Sequence, residues 1–148
     1  MPDKTTIKRA NRSKREGKAP STQAGEFVRE EMEHIREGKQ GARSTKQAIA
    51  IGLSKARRAG VKLKAPKPGS APEETRRKAK RDLKKGASGR RPSPKRSQAT
   101  TKALKREGHA AASGRALSRQ ARSAAGSRTK SERSAAAKKG ARTRSRSQ

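Results

Sequence analysis

The sequence predicts a mainly α-helical chain with extensive disorder. It should hold one marginal two-helix hairpin at about 21–60, plus short isolated helices joined by Gly/Pro/Ser linkers. Three observations predict this. Lys and Arg number 43 against 12 Asp and Glu, a formal net charge of +31 over 148 residues. Phe27 is the one aromatic residue. Of 14 larger apolar residues, counting Met1, nine lie between Phe27 and Leu63. So few large side chains cannot offset the entropy of ordering the whole chain. Any packed unit must sit where they cluster.

Residues 1–20 form a basic N-terminal arm. Its short helix, 4–16, stops at Gly17 and sets Lys8, Arg12 and Arg15 at i, i+4, i+7 on one edge. Residues 21–63 form the hairpin. Its first helix runs from Ser21 to Glu37, with Ala24, Val28, Met32 and Ile35 on one stripe and Gly38 as a left-handed stop. Glu26, Glu30, Glu31 and Glu33 make this the chain's one acidic cluster. The second helix opens on "STKQ" at 44–47, a capping-box pattern of Ser44 and Gln47. Ile49, Gly52, Leu53 and Ala56 form its stripe, and Gly60 followed by Val61 suits a Schellman stop. The predicted hairpin core is thus Val28, Met32, Ile35, Ile49, Leu53 and Ala56. Ile51 points off that stripe, towards a second copy or a docking partner.

Residues 64–97 are linker around one basic helix, 72–85. Pro72 takes the first helical position, and Glu73 and Glu74 suit the first turn. Arg77, Arg81 and Lys84 share its edge. "SPKR" at 93–96 is a turn signal in which Pro94 fixes φ, flanked by Arg91, Lys95 and Arg96. Residues 98–148 are a Lys/Arg/Ala/Ser-rich basic tail. Helices are expected at 98–107 and 115–125, the latter with Arg115, Arg119 and Arg122 on one edge. From 127 onward the text is low complexity.

A charge this large calls for a polyanion, because phosphates relieve self-repulsion and release counterions. The three stripes and the SPKR flank are the candidate nucleic-acid contacts. Backbone contacts of this kind position a duplex without reading its sequence. A membrane surface fits less well, since no segment pairs a basic face with Trp, Phe and Leu. No apolar run approaches the ~20 residues of a span, and no signal h-region follows Met1. The absence of Cys removes disulfides and thiolate metal sites, and fits a reducing interior. His34 and His109 lie in separate segments without metal-ligand spacing. His34, beside Glu33 and Glu37, is expected on a helix surface. With no P-loop, G-x-G-x-x-G or G-x-S-x-G, no enzyme activity, metal or cofactor is expected.

A helix-turn-helix is the sharper alternative for the hairpin, with 45–59 as reading helix and Lys46 and Gln47 at its start. Three features oppose it: a third helix is missing, Glu30, Glu31 and Glu33 would approach DNA, and the basic residues Lys55, Arg57 and Arg58 spread around the helix.

Two resemblances add to this. "GEFVREEMEHIREGKQGARSTKQAIAIGLSKARRAGVKL" (25–63) is similar to the shared segment of a family of short, basic, poorly characterised bacterial proteins. That implies a bacterial origin and assigns no activity. "SPKR" resembles the Ser-Pro-Lys/Arg turn of histone H1 tails, which implies an A·T-rich minor groove as its target. The tail resembles bacterial histone H1-like proteins in composition. The expectation is a cytoplasmic, nucleoid-associated protein that binds and compacts DNA without sequence specificity, histone-like, with the hairpin available for a homodimer or protein partner. The alternatives are a structural or ribosome-associated RNA-binding protein and a protein-interaction adaptor acting through the hairpin.

Overall fold

The computed structural model describes residues 1–89 and 93–146. They form α1 (Lys4–Arg15), α2 (Pro20–Arg36), α3 (Thr45–Arg58), α4 (Glu73–Ala87), α5 (Pro94–Lys105), a 3₁₀ turn (Ala110–Ala112), α6 (Gly114–Gly126) and α7 (Lys130–Ser145). There is no strand among the described residues. The expectation of extensive disorder is therefore wrong, and the α2–α3 hairpin is the middle of a larger helical fold. The reason is alanine. Among the described residues, eight of the thirteen buried apolar side chains are Ala: 10, 24, 42, 48, 56, 79, 111 and 112. A tally of Val, Leu, Ile, Met and Phe omits all of them. Ala loses no side-chain entropy in a helix, and its small size lets helices approach until their backbones touch.

Gly52 shows how close that approach is. A Cβ built on it would lie 2.7 Å from Val28 Cα, so α3 meets the backbone of α2 there. Two apolar clusters flank this crossing. In one, Phe27 is buried with Ala10, Ala24, Ala56 and Val61, with Leu53 and Leu63 against them. Here α1 closes over the hairpin through Thr6, Ala10 and Ser13, all buried. In the other, Met32, Ile35, Ala42 and Ala48 meet Ala111 and Ala112, with Val28, Ile49 and Leu117 alongside. Of the residues assigned to the hairpin core, Met32, Ile35 and Ala56 are buried, and Val28, Ile49 and Leu53 are half-buried. Ile51 is half-buried outside both clusters.

Local signals position these elements. Ser44 Oγ accepts the Gln47 N–H at 3.2 Å, while Gln47 Oε1 accepts the Arg43 N–H at 2.7 Å, a capping box displaced by one residue. Gly60, at φ +93°, ends α3, and the Val61 N–H donates to Ala56 O at 3.0 Å. The loop 41–45 then receives a distant segment. The Gly41 N–H donates to Leu104 O at 2.9 Å, and the Ala42 N–H to Gly108 O at 3.0 Å. Thr45 Oγ1 donates to Ala111 O at 2.7 Å, and Arg36 Nε to Ala112 O at 2.9 Å. The 3₁₀ turn thus enters the core with its carbonyls satisfied.

Two helices stay outside. α5 buries only Leu104, and α7 buries nothing. The total exposed surface, 11106 Å² for 16.0 kDa, exceeds the ~7,400 Å² that scaling gives for a compact monomer of that mass. α7 nonetheless starts on a full capping box of Thr129 and Glu132, in the stretch expected to be low complexity. "SPKR" is not a free turn: Pro94 begins α5, and Lys95 and Arg96 lie in its first turn. Arg91 lies outside the described residues.

The free protein should therefore be strongly helical by far-UV circular dichroism and melt cooperatively with no nucleic acid present. A non-cooperative, largely coil signal would contradict the fold. Acid should weaken it. Arg29 holds the Glu33 carboxyl below its ordinary pKa, and Lys78 does the same for Glu74. A lowered folded-state pKa contributes stability that is complete above the unfolded pKa and is lost as pH falls through the folded one. The melting temperature should thus drop below about pH 4.5, near the unperturbed carboxylate value.

Candidate nucleic-acid interface

The charge arrangement begins with the acids, because they decide which cations are free. All twelve carboxylates have a partner inside the chain. Glu16 binds Arg12 and Lys18, Glu33 binds Arg29, Glu37 binds Lys39, and Glu74 binds Lys78. Glu73 pairs with Arg76, and Asp3 lies beside His34. Glu132 accepts the Thr129 N–H at the start of α7. The rest cross between elements: Glu26 to Arg9, Glu107 to Arg43, and Asp82 to Arg58. Glu30 and Glu31, 2% and 0% exposed, face Lys55 of α3. The sequence alone places these two acids on a surface. They are instead the polar seam of the hairpin, with Gln40 Nε2 completing Glu31 at 2.5 Å.

The cations at the end of α3 are likewise structural. Arg57 is buried, and its guanidinium donates to Leu63 O at 3.1 Å and Lys64 O at 3.4 Å. Burial pushes its pKa down, against the opposing pull of Asp82. Arg58 Nε and Ser54 Oγ both donate to the buried Asp82, at 2.8 and 2.7 Å.

The stripes are different. Lys8, Arg12 and Arg15, then Arg77, Arg81 and Lys84, then Arg115, Arg119 and Arg122 are all exposed. At about 100° per residue, each triplet falls roughly opposite the covered face of its own helix. On α1 the covered residues are Thr6, Ala10 and Ser13. On α4 they are Ala79 and Asp82, with Arg76, Leu83 and Gly86 half-buried. On α6 Ala116, Leu117, Gln120 and Ala124 are half-buried. α1 rests on α2, while α4 and α6 rest on α3, so three cationic edges surround one central pair. Arg12 also bonds Glu16, but that pair is at the surface, where ion pairs contribute little and a phosphate can compete. Lys95 and Arg96 are exposed on α5. Missed by the stripe pattern is α7, whose Lys130, Arg133, Lys138, Lys139, Arg142 and Arg144 point around the whole helix.

The hairpin does not present itself as a reading unit. A third helix, α1, is present, and Glu30 and Glu31 are buried while Glu33 is half-buried and paired with Arg29. The missing-helix objection to a helix-turn-helix therefore falls away, and the acidic one is reduced to Glu33. A new one is added. Thr45, at the start of α3, is buried beneath Ala111, and Arg43 reaches Glu107. Lys46 remains exposed, but Gln47 is half-buried and its Oε1 is held by the Arg43 N–H, so the start of α3 is only partly open to base edges.

Comparison with known proteins bears on the same region. Residues 4–67 match the model of a family of unknown function, DUF6496. The match spans α1 to α3 and contains the whole 25–63 block. No curated protein matches the chain, and no solved structure does. No helix among the described residues is long and apolar enough to cross a membrane.

Proposed function

We propose that this chain binds nucleic acid through its phosphate backbone without reading sequence, with duplex DNA as the first target and histone-like compaction as the outcome. One observation carries the reading: the carboxylates are engaged inside the chain, while three cationic edges lie opposite the packed faces of their helices. Such edges can neutralise phosphates along separate stretches of a duplex, and so bridge as well as bind. The partly covered start of α3, with Thr45 buried and Gln47 Oε1 held by the Arg43 N–H, supports non-specific over specific binding. The α2–α3 pair, occupied by α1 on one side and Ala111–Ala112 on the other, leaves less surface for a docking partner than an isolated hairpin would.

Competition tests the target class. Labelled duplex DNA bound to the full chain should be displaced about equally by two unrelated duplexes, and less well by a structured RNA of equal phosphate count. Replacing Arg77, Arg81 and Lys84 together by Glu should weaken binding to both duplexes alike and leave the melting temperature nearly unchanged, because all three are solvent-facing. Stronger displacement by the structured RNA would move the assignment to RNA. Unaltered binding in the triple variant would remove α4 from the interface.

A further inference from the structure

We propose that Asp3, Glu30 and His34 form a binding site for one divalent transition-metal ion, with zinc as the first candidate. One ligand atom from each of the three lies within 4.8 Å of the others. His34 Nε2 and Asp3 Oδ2 are 3.3 Å apart. That matches the ~3.3 Å edge of a tetrahedron whose ligands stand about 2.0–2.1 Å from zinc. Glu30 and His34 are four residues apart on α2, so they share a face. Asp3 comes from the residue before α1, brought there by the packing of α1 on α2.

Two further observations point to a ligand. Asp3 holds the N-cap position of α1, where an aspartate carboxylate ordinarily accepts a backbone N–H of the first turn. It makes no such bond and lies against His34 instead. Glu30 is 2% exposed, and only one of its oxygens is satisfied. Its Oε2 accepts the Asp3 N–H at 3.2 Å, while the buried Oε1 has no hydrogen-bond donor. Lys55 Nζ is 3.7 Å from that oxygen, beyond hydrogen-bonding range, and is bonded to Glu31. A buried carboxylate with an unsatisfied oxygen is unfavourable, and a cation bound by the Glu30 carboxylate together with Asp3 and His34 would offset that cost.

The donor set fixes the class of ion. One imidazole nitrogen and two carboxylate oxygens suit Zn²⁺, Mn²⁺ or Fe²⁺, and without a thiolate or thioether they do not favour Cu(I). The two carboxylates balance the charge of a divalent ion locally, inside a chain whose net charge is +31. The His34 side chain is 15% exposed and that of Asp3 54%, which leaves an open side for a water ligand. The ion's role would be to tie the start of α1 to α2.

The test is calorimetric titration of the full, untagged chain with Zn²⁺ in a non-chelating buffer, paired with visible d–d absorption of the Co²⁺ form. The expected result is one ion per chain, a raised melting temperature and a four- or five-coordinate cobalt spectrum. His34→Ala and Asp3→Ala should each lower affinity about 100-fold, the upper end of what altering even a supporting residue does at metal sites. His109→Ala, which removes the other histidine, should bind as the parent does. Circular dichroism checks that the variants fold; if His34→Ala does not, the exposed Asp3 variant decides. Absence of stoichiometric binding would reduce the cluster to an Asp3–His34 ion pair and overturn the proposal. Binding that survives both variants would show an adventitious ion only, and overturn it equally.

Discussion

Raising salt from 50 to 200 mM should weaken duplex DNA binding by the full chain roughly 10³–10⁵-fold, if six to ten phosphates are neutralised. The slope of log K against log salt reports how many are neutralised, at about −0.9 per phosphate on B-DNA. The fold determines where the chain can be cut to divide them. Removing everything from residue 86 would take 18 basic groups, but also Leu104, Ala111 and Ala112 from the buried interior. A loss of binding there would not be separable from a loss of fold. A cut after Ser127 is cleaner. It removes α7, which buries nothing, with eight basic groups from Arg128 to Arg146 and one acidic group, Glu132. The shortened chain should melt at nearly the same temperature and bind more weakly. Its slope should be shallower by about 0.9 for each phosphate that α7 neutralises. An unchanged slope would exclude α7 from the interface. A strong preference between two unrelated duplexes would sink the non-specific reading altogether.

What the sequence made legible was mostly local. Ser44 with Gln47, Gly38, Gly60 and Val61 are signals completed within a few residues, and backbone geometry follows from them directly. The outward placement of Arg77, Arg81 and Lys84 was legible for the same reason, since helical spacing alone separates that edge from Ala79 and Asp82. What was hidden depends on distance along the chain. Glu31 has the look of a surface residue until Lys55 and Gln40 are brought to it. Glu30 and His34 stand four residues apart on α2, but the group they form is hidden because Asp3 lies 31 residues from His34. Ala111 and Ala112 carry no periodic apolar signal, yet they seal one end of the hairpin. Pro94 is ambiguous in itself: it suits a turn and the first position of a helix alike. Above all, a core of alanines has the composition of a tail. The stability of such a core lies in how near the helices come, which composition cannot express.

That closeness makes glycine the residue on which the fold depends most, and two helical glycines should respond oppositely to one methyl group. Gly25 on α2 is exposed, with nothing within 4 Å of the Cβ it lacks. Gly25→Ala should stabilise the chain by about 0.5–1 kcal/mol, through helix propensity and a less flexible unfolded state. Gly52→Ala has the same propensity gain, but its Cβ would stand 2.7 Å from Val28 Cα and 2.9 Å from Val28 N. Those atoms are backbone and cannot rotate away, so α2 and α3 must separate. Separation loosens both apolar clusters and the Glu31–Lys55 seam together. Overpacking ordinarily costs about 1–3 kcal/mol, which exceeds the gain, so Gly52→Ala should be net destabilising by roughly 1–2 kcal/mol. Gly52→Leu should be far worse. With a total stability of about 5–15 kcal/mol for a folded protein, it should abolish the cooperative transition. Denaturant midpoints for the parent, Gly25→Ala and Gly52→Ala, measured with equal m-values, decide the matter. If both alanine variants were stabilised alike, the helices would not meet backbone to backbone at Gly52, and the close-packed alanine core would be the wrong account of this fold.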